Sequence, residues 1–237
     1  MNAAKLGKCV KFELLDMAKG IAVFFGVMAL VYAGNLILTI GIFGGKAEDG
    51  FLSSVEFCSV IFLFVSGIVM FGQYFRLFLQ CGMGRGLLSG SLMLSVPVLA
   101  LIVTVLNGVL CKVMDGIYGL LGGEYFSLWE MLFPEAGAVT LLASQWAMLL
   151  AVTLFGLLIS AVFQLVPKKA RPVYCAAVPI GLLLLLFKGI GTDESGWIVH
   201  LAYWAVESAG NATLLFLGVA VVLGALVCGV SRKIWLQ

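Results

Sequence analysis

The chain has 237 residues, of which 62% are drawn from Ala, Val, Ile, Leu, Met, Phe, Trp, Tyr and Cys and 11% are charged. Soluble domains average about 45–50% apolar and 25% charged residues, so a water-soluble domain of this size is excluded. A mean hydropathy of +1.15 and a formal net charge of only +2 exclude low-complexity disorder as well. At about 20 apolar residues per spanning helix, the length allows six or seven spans and no separate soluble domain, so soluble chemistry has to come from a partner.

In chain order, about residues 8–19 come first. Val10, Leu14, Met17 and Ala18 recur there at helical spacing against Lys11, Lys19 and Asp16, which predicts an N-terminal helix lying in the inner interface. Six apolar runs follow: Ile21 to Phe43, Val55 to Phe75, Leu87 to Cys111, Trp146 to Val166, Val173 to Ile190 and Ala212 to Val230. Helices are expected, because backbone groups in hydrocarbon must be bonded within the segment and the alternating pattern of a barrel is missing. The first run begins too late and continues too long for a signal peptide's apolar region, so it is expected to be retained. The fifth is short and carries Pro179, but Arg171 and Pro172 before it and Lys188 near its end fit a snorkelling, slightly thinned span. The expected fold class is an all-α integral membrane protein, a single transmembrane domain over 1–237 with six transmembrane helices.

Charge sets the orientation. Lys5, Lys8, Lys11 and Lys19 precede the first span; Arg76 and Arg85 join the second to the third; Lys168, Lys169 and Arg171 join the fourth to the fifth; Arg232 and Lys233 follow the last. The other side keeps only Lys46, Lys112 and Lys188 among the basic residues and holds ten of the twelve acids. The positive-inside rule then places both termini in the cytoplasm, as an even number of spans requires.

Two outer connections carry amphipathic patterns. Tyr125, Phe126, Leu128, Trp129, Leu132 and Phe133 crowd a segment ending at Pro134, and Trp197, Ile198, Leu201, Trp204, Ala205 and Ser208 fall on one stripe. Both are expected to dip into the membrane surface, with Trp197, Leu201 and Trp204 as interfacial anchors or a gate.

Motifs for chemistry are missing. His200 is the single histidine and has no H-E-x-x-H around it, which argues against a zinc protease; no G-x-S-x-G supports a serine hydrolase. The six cysteines are scattered without a C-x-x-C and read as packing thiols, so neither a disulfide framework nor a metal site is expected. No phosphate loop is present, and Gly82, Gly84, Gly86 and Gly90 follow a membrane span rather than a strand, where they suit a sharp turn and close helix packing. Polar residues within or beside the spans are few: Asn35, Gln73, Asn107, Gln164 and, at an outer mouth, Glu56. An ion-coupled carrier usually needs deeper acids. Asn35, Glu56 and Asn107 remain candidates for a substrate pathway.

The stretch Phe71 to Gly90, FGQYFRLFLQCGMGRGLLSG, runs aromatics out of the second span through Arg76, Phe78 and Gln80 into a Gly82-Met83-Gly84-Arg85 turn, and the third span begins at Leu87. An aromatic-rich exit followed by a Gly-x-Ser-Arg turn and a new span resembles the permease subunits of the type-2 ABC exporter family, in the small Gram-positive type similar to modulin-type peptide exporters. Here Gly84 stands where that family often has Ser or Thr, and Gly86 where Lys or Arg is common.

The resemblance implies the membrane subunit of an ATP-driven exporter in a bacterial cell membrane, paired as a homodimer or with a related permease. It would have no catalytic site, cofactor or metal of its own. ATP and Mg would be held by a separate ATPase that docks on Arg76, Phe78, Gln80, Gly82, Gly84 and Arg85. The cargo would be apolar or amphipathic, such as a peptide; membrane lipid is an expected partner and nucleic acid is not. Two alternatives stay open: a substrate-binding subunit of an energy-coupling vitamin importer and a non-transporting immunity protein. Cysteines introduced beside Glu48 and Asp193 are expected to react with an impermeant maleimide added outside, whereas one beside Lys168 is not; labelling at Lys168 from outside would reverse the orientation.

Overall fold

The computed structural model describes residues 3–43, 51–52, 55–82, 84–120, 125–167, 170–171, 174 and 197–233. They form α1 (Ala3–Phe43), β1 (Phe51–Leu52), α2 (Val55–Gln80), α3 (Arg85–Leu120), β2 (Tyr125–Phe126), α4 (Leu128–Leu132), α5 (Ala138–Leu165), α6 (Trp197–Glu207) and α7 (Ala209–Lys233). Among the described residues the fold is helical apart from one short parallel pairing of β1 with β2, Phe51 opposite Tyr125 and Leu52 opposite Phe126. Among the described residues five helices, α1, α2, α3, α5 and α7, are long and apolar enough to cross a membrane. That is compatible with a multi-pass membrane protein. The fifth predicted span, 173–190, lies outside the described residues except for Tyr174.

Several boundaries differ from expectation. The predicted interfacial helix over 8–19 is not a separate element: it is the first part of α1, a continuous helix of 41 residues. At 1.5 Å per residue α1 runs about 60 Å, twice a hydrocarbon core. Nothing between the two predicted segments breaks a helix, because Gly20 alone is tolerated and no proline is present. Its stripe of Leu14 and Met17 packs against the bundle core, beside buried Cys9. The second helix runs to Gln80 rather than Phe75, the third to Leu120 rather than Cys111, and α5 starts at Ala138, eight residues before Trp146. Hydropathy marks where a helix meets polar surroundings, whereas a helix ends where its hydrogen bonds do.

Pairwise contacts fix the helix directions. Gly67 of α2 meets Thr153 of α5, and further along Gly72 lies near Ser160 and Gln164, so α2 and α5 run parallel. Ala209 and Ala212 at the start of α7 cluster with Leu141 and Met148 near the start of α5, so α7 runs that way too. In α3, Gly108 faces Leu142 and the Pro97 carbonyl accepts the Trp146 indole N–H at 3.1 Å, so α3 is antiparallel to α5. α5 is the spine, with α2, α3 and α7 packed around it, while α1 lies on α2 and α3 and α6 lies on α7. The basic ends gather at the pole with the α2–α3 turn. Glu56, Asp115, Glu130 and Glu207 gather at the other.

The tightest crossing is backbone against backbone. A Cβ on Gly67 would collide with the Thr153 carbonyl oxygen and lie 3.2 Å from the Leu157 nitrogen; a Cβ on Gly156 would collide with the Phe64 carbonyl oxygen and lie 3.2 Å from the Ile68 nitrogen. Small residues at such positions let membrane helices approach where no hydrophobic force distinguishes helix from lipid. Gly67→Ala and Gly156→Ala are each expected to destabilise the protein by about 2 kcal/mol, in the range for overpacked cores. Gly26→Ala, where nothing lies within 4 Å, should be neutral or slightly stabilising. Thermal unfolding in detergent compares the three.

Candidate functional site

Two places collect polar side chains. At the basic pole, the start of α1 is bonded to the α2–α3 hairpin. Glu13 has no exposed surface, and its Oε1 accepts the Ser91 hydroxyl at 2.7 Å. Tyr74 donates its hydroxyl to Asp16 Oδ2 at 2.9 Å. Phe12 sits edge-on to both Tyr74 and Phe78, and Tyr74 and Phe78 stack at 6.0 Å.

The turn beyond is tight. The Cys81 and Gly82 N–H groups donate to Leu77 and Leu79 carbonyls, and Gly82 adopts a φ of +70° that closes the end of α2. Arg76, Gln80, Gly82 and Gly84 are exposed, whereas Phe78 is buried in the core. Arg85 is the first residue of α3. Of the expected coupling residues, then, four present an outer surface and Phe78 instead secures it from behind.

At the acidic pole a cavity of about 580 Å³ lies between the start of α2, the second half of α3, the β2–α4 segment and the start of α5. Glu56 is the second residue of α2 and is almost wholly buried. Its Oε1 accepts the Ser127 hydroxyl at 2.9 Å and its Oε2 accepts the Leu128 N–H at 2.6 Å. This carboxylate therefore caps the first turn of α4 and binds it to α2. Tyr32 of α1 accepts the Val55 N–H at 3.0 Å, and the Tyr125 hydroxyl reaches Tyr32 at 3.4 Å and Cys111 Sγ at 4.0 Å. Near the rim, Lys112 pairs with Glu130 at 3.3 Å and with Asp115 at 4.0 Å, all three well exposed.

The aromatic connection expected to dip into the membrane surface divides into buried and exposed side chains. Tyr125, Trp129 and Phe133 turn inward and are buried, since Ser127 and Leu128 are held down by Glu56; Met131 and Leu132 face out. Of the pathway candidates, Glu56 lines the cavity. Asn107 is buried and accepts the Ser59 hydroxyl through Oδ1 at 2.9 Å, and Asn35 is half-buried on α1. Trp197 opens α6. Leu201 and Trp204 are partly exposed on it, and Trp204 borders a groove along α7, its carbonyl accepting the Asn211 amide at 3.0 Å.

Sequence reasoning missed Gln145, which lines the cavity, and the tyrosines Tyr32 and Tyr125. Gln145 precedes the predicted fourth span by one residue, so it never counted as a polar group inside an apolar helix. Among the described residues no three His, Cys, Asp or Glu converge as a metal site. Comparison with protein-family models, with curated proteins and with solved structures finds no match to this chain.

Glu56→Ala should leave Leu128 N–H and the Ser127 hydroxyl without their acceptor and cost about 2 kcal/mol. Faster hydrogen exchange at the Leu128 amide, with little change in α7, is the expected local signature.

Proposed function

We propose that the chain is the membrane subunit of an ATP-driven exporter, moving an apolar or amphipathic substrate with force supplied by a separate ATPase. The observation that carries this reading is the basic pole. An exposed, tightly turned α2–α3 connection with Arg76, Gln80, Gly82 and Gly84 on its surface is fastened from behind by Phe78, Tyr74 and the Glu13 and Asp16 contacts of α1. A partner pressing on this turn meets a connected block of three helices, each far longer than a hydrocarbon core needs or tied to one that is.

The six-span reading belongs to this proposal. α5 and α7 run in the same direction, which fits a return through the predicted span 173–190 between them. With that return, both termini lie at the basic pole, which the positive-inside rule places in the cytoplasm. The substrate would pass at the seam with a second copy or a related permease.

Two measurements test the reading. A detergent pull-down of the tagged chain is expected to bring a nucleotide-hydrolysing subunit in stoichiometric amount. Arg76→Glu with Arg85→Glu is expected to abolish that co-purification while the chain still inserts into the membrane; normal partner binding and transport by the double variant would refute the assigned surface. Cys81, exposed beside the turn, supplies a native reporter whose labelling by a maleimide from the cytoplasmic side should be blocked when the partner is bound.

A further inference from the structure

A groove of about 600 Å³ runs along the outside of the bundle between the start of α1 and the first half of α3. Its walls are apolar, from Val10, Leu14 and Leu15 of α1 and Leu94 and Val98 of α3, and the protein leaves Leu15, Leu94 and Val98 exposed. The one charged residue on its wall is Lys11. Lys8, three residues earlier and so its neighbour on the helix surface, is exposed too.

The contacts of α1 fix the height of this groove. Glu13 bonds to Ser91 at the basic pole, and further along Met28 and Tyr32 pack with Met114 and Tyr118, so α1 and α3 run parallel. Ser91 lies roughly 9 Å of helix inside the start of α3 at Arg85. Lys8 and Lys11 therefore stand level with the opening turns of α3, near the α2–α3 turn, while Leu14, Leu15, Leu94 and Val98 continue toward the bilayer centre. The cationic end is at headgroup level and the apolar end is among acyl chains.

Nothing in the described residues answers the two lysines. Neither lies in an ion pair, and the acids of the same segment turn elsewhere, Glu13 to Ser91 and Asp16 to Tyr74. The wall also has a gap beside Lys11: Gly7, one turn earlier on the same face, lines the groove, and a Cβ there would meet nothing within 4 Å. Basic residues at a recess between membrane helices attract anionic headgroups, and a lysine stem can lie along the apolar wall while its ammonium reaches the phosphate.

We propose that the groove binds one anionic phospholipid of the leaflet at the basic pole, its phosphate beside Gly7 between Lys8 and Lys11 and one acyl chain along Leu14, Leu15, Leu94 and Val98. A zwitterionic lipid would bring its own cation against the lysines, and a bare phosphate would leave the apolar half of the groove unfilled. The site is independent of whether the chain moves cargo.

The test is native mass spectrometry of the delipidated full chain in dodecyl maltoside, titrated with dioleoylphosphatidylglycerol or with dioleoylphosphatidylcholine, which has the same acyl chains. One tight phosphatidylglycerol per chain is expected, bound at least about tenfold more strongly than phosphatidylcholine and not displaced by glycerol phosphate. Lys8→Gln with Lys11→Gln should weaken phosphatidylglycerol about tenfold or more and leave phosphatidylcholine unchanged. Arg232→Gln with Lys233→Gln removes the same charge from the end of α7, which is exposed at the same pole, and should change neither. Gly7→Leu alters no charge and fills the gap, so it should also weaken phosphatidylglycerol about tenfold; it carries the test should the lysine variant fail to give monodisperse protein. Equal binding of the two lipids, displacement by glycerol phosphate, or an equal loss in the Arg232 and Lys233 variant would overturn the proposal. So would unchanged affinity in either folded groove variant, or a dimer of chains whose formation excludes the lipid.

Discussion

Where α2 crosses α5 the two backbones touch, and hydrogen atoms alone fill the space between Gly67, Gly156 and the carbonyls of Thr153 and Phe64. Inside lipid there is little hydrophobic gain from packing one apolar helix on another, so contact has to come from close fit and from polar groups that find partners. The α2–α5 crossing supplies the fit. Because α5 also carries α3 and α7, its distance from α2 fixes how far apart the remaining helices stand, and with that the width of the cavity at the acidic pole.

Polar groups supply the rest, and they do so at both poles by a similar device. Glu13 and Glu56 are carboxylates drawn out of contact with solvent, each answered by a serine hydroxyl from another element, Ser91 and Ser127. Removing either partner would leave a buried polar group alone, which is the expensive outcome. Glu13 ties α1 to α3; Glu56 ties α4 to α2. The interior between them is held mainly by aliphatic and aromatic packing around Leu63, Phe71, Leu92, Leu99 and Leu157.

Much of the helical layout could be read from apolar run length, since backbone satisfaction in hydrocarbon leaves little alternative to a helix. What run length could not convey was where each helix stops. The start of α1 looked like a surface helix because Val10, Leu14, Met17 and Ala18 recur at helical spacing against Lys11, Asp16 and Lys19, while the burial of Glu13 depends on Ser91, 78 residues away. Likewise the aromatics after Tyr125 suggested a surface belt, and only the Glu56 acceptor shows why Trp129 and Phe133 turn inward. Gln145 escaped notice for a related reason: the helix that buries it begins at Ala138, within a stretch whose Glu135, Gly137 and Thr140 dilute its hydropathy. Pairings across long sequence separations are invisible to local pattern.

Polar links between α1 and α2 sit at opposite ends of the pair, among them Asp16 to Tyr74 and Tyr32 to Val55. On α1 these points are 16 residues apart, roughly 24 Å of helix. One bolt would permit a scissor motion, with the rods swivelling about it. Two, so far separated, oppose it, and α1 and α2 favour tilting as a single plank until one bolt, worth about 1 kcal/mol, is withdrawn.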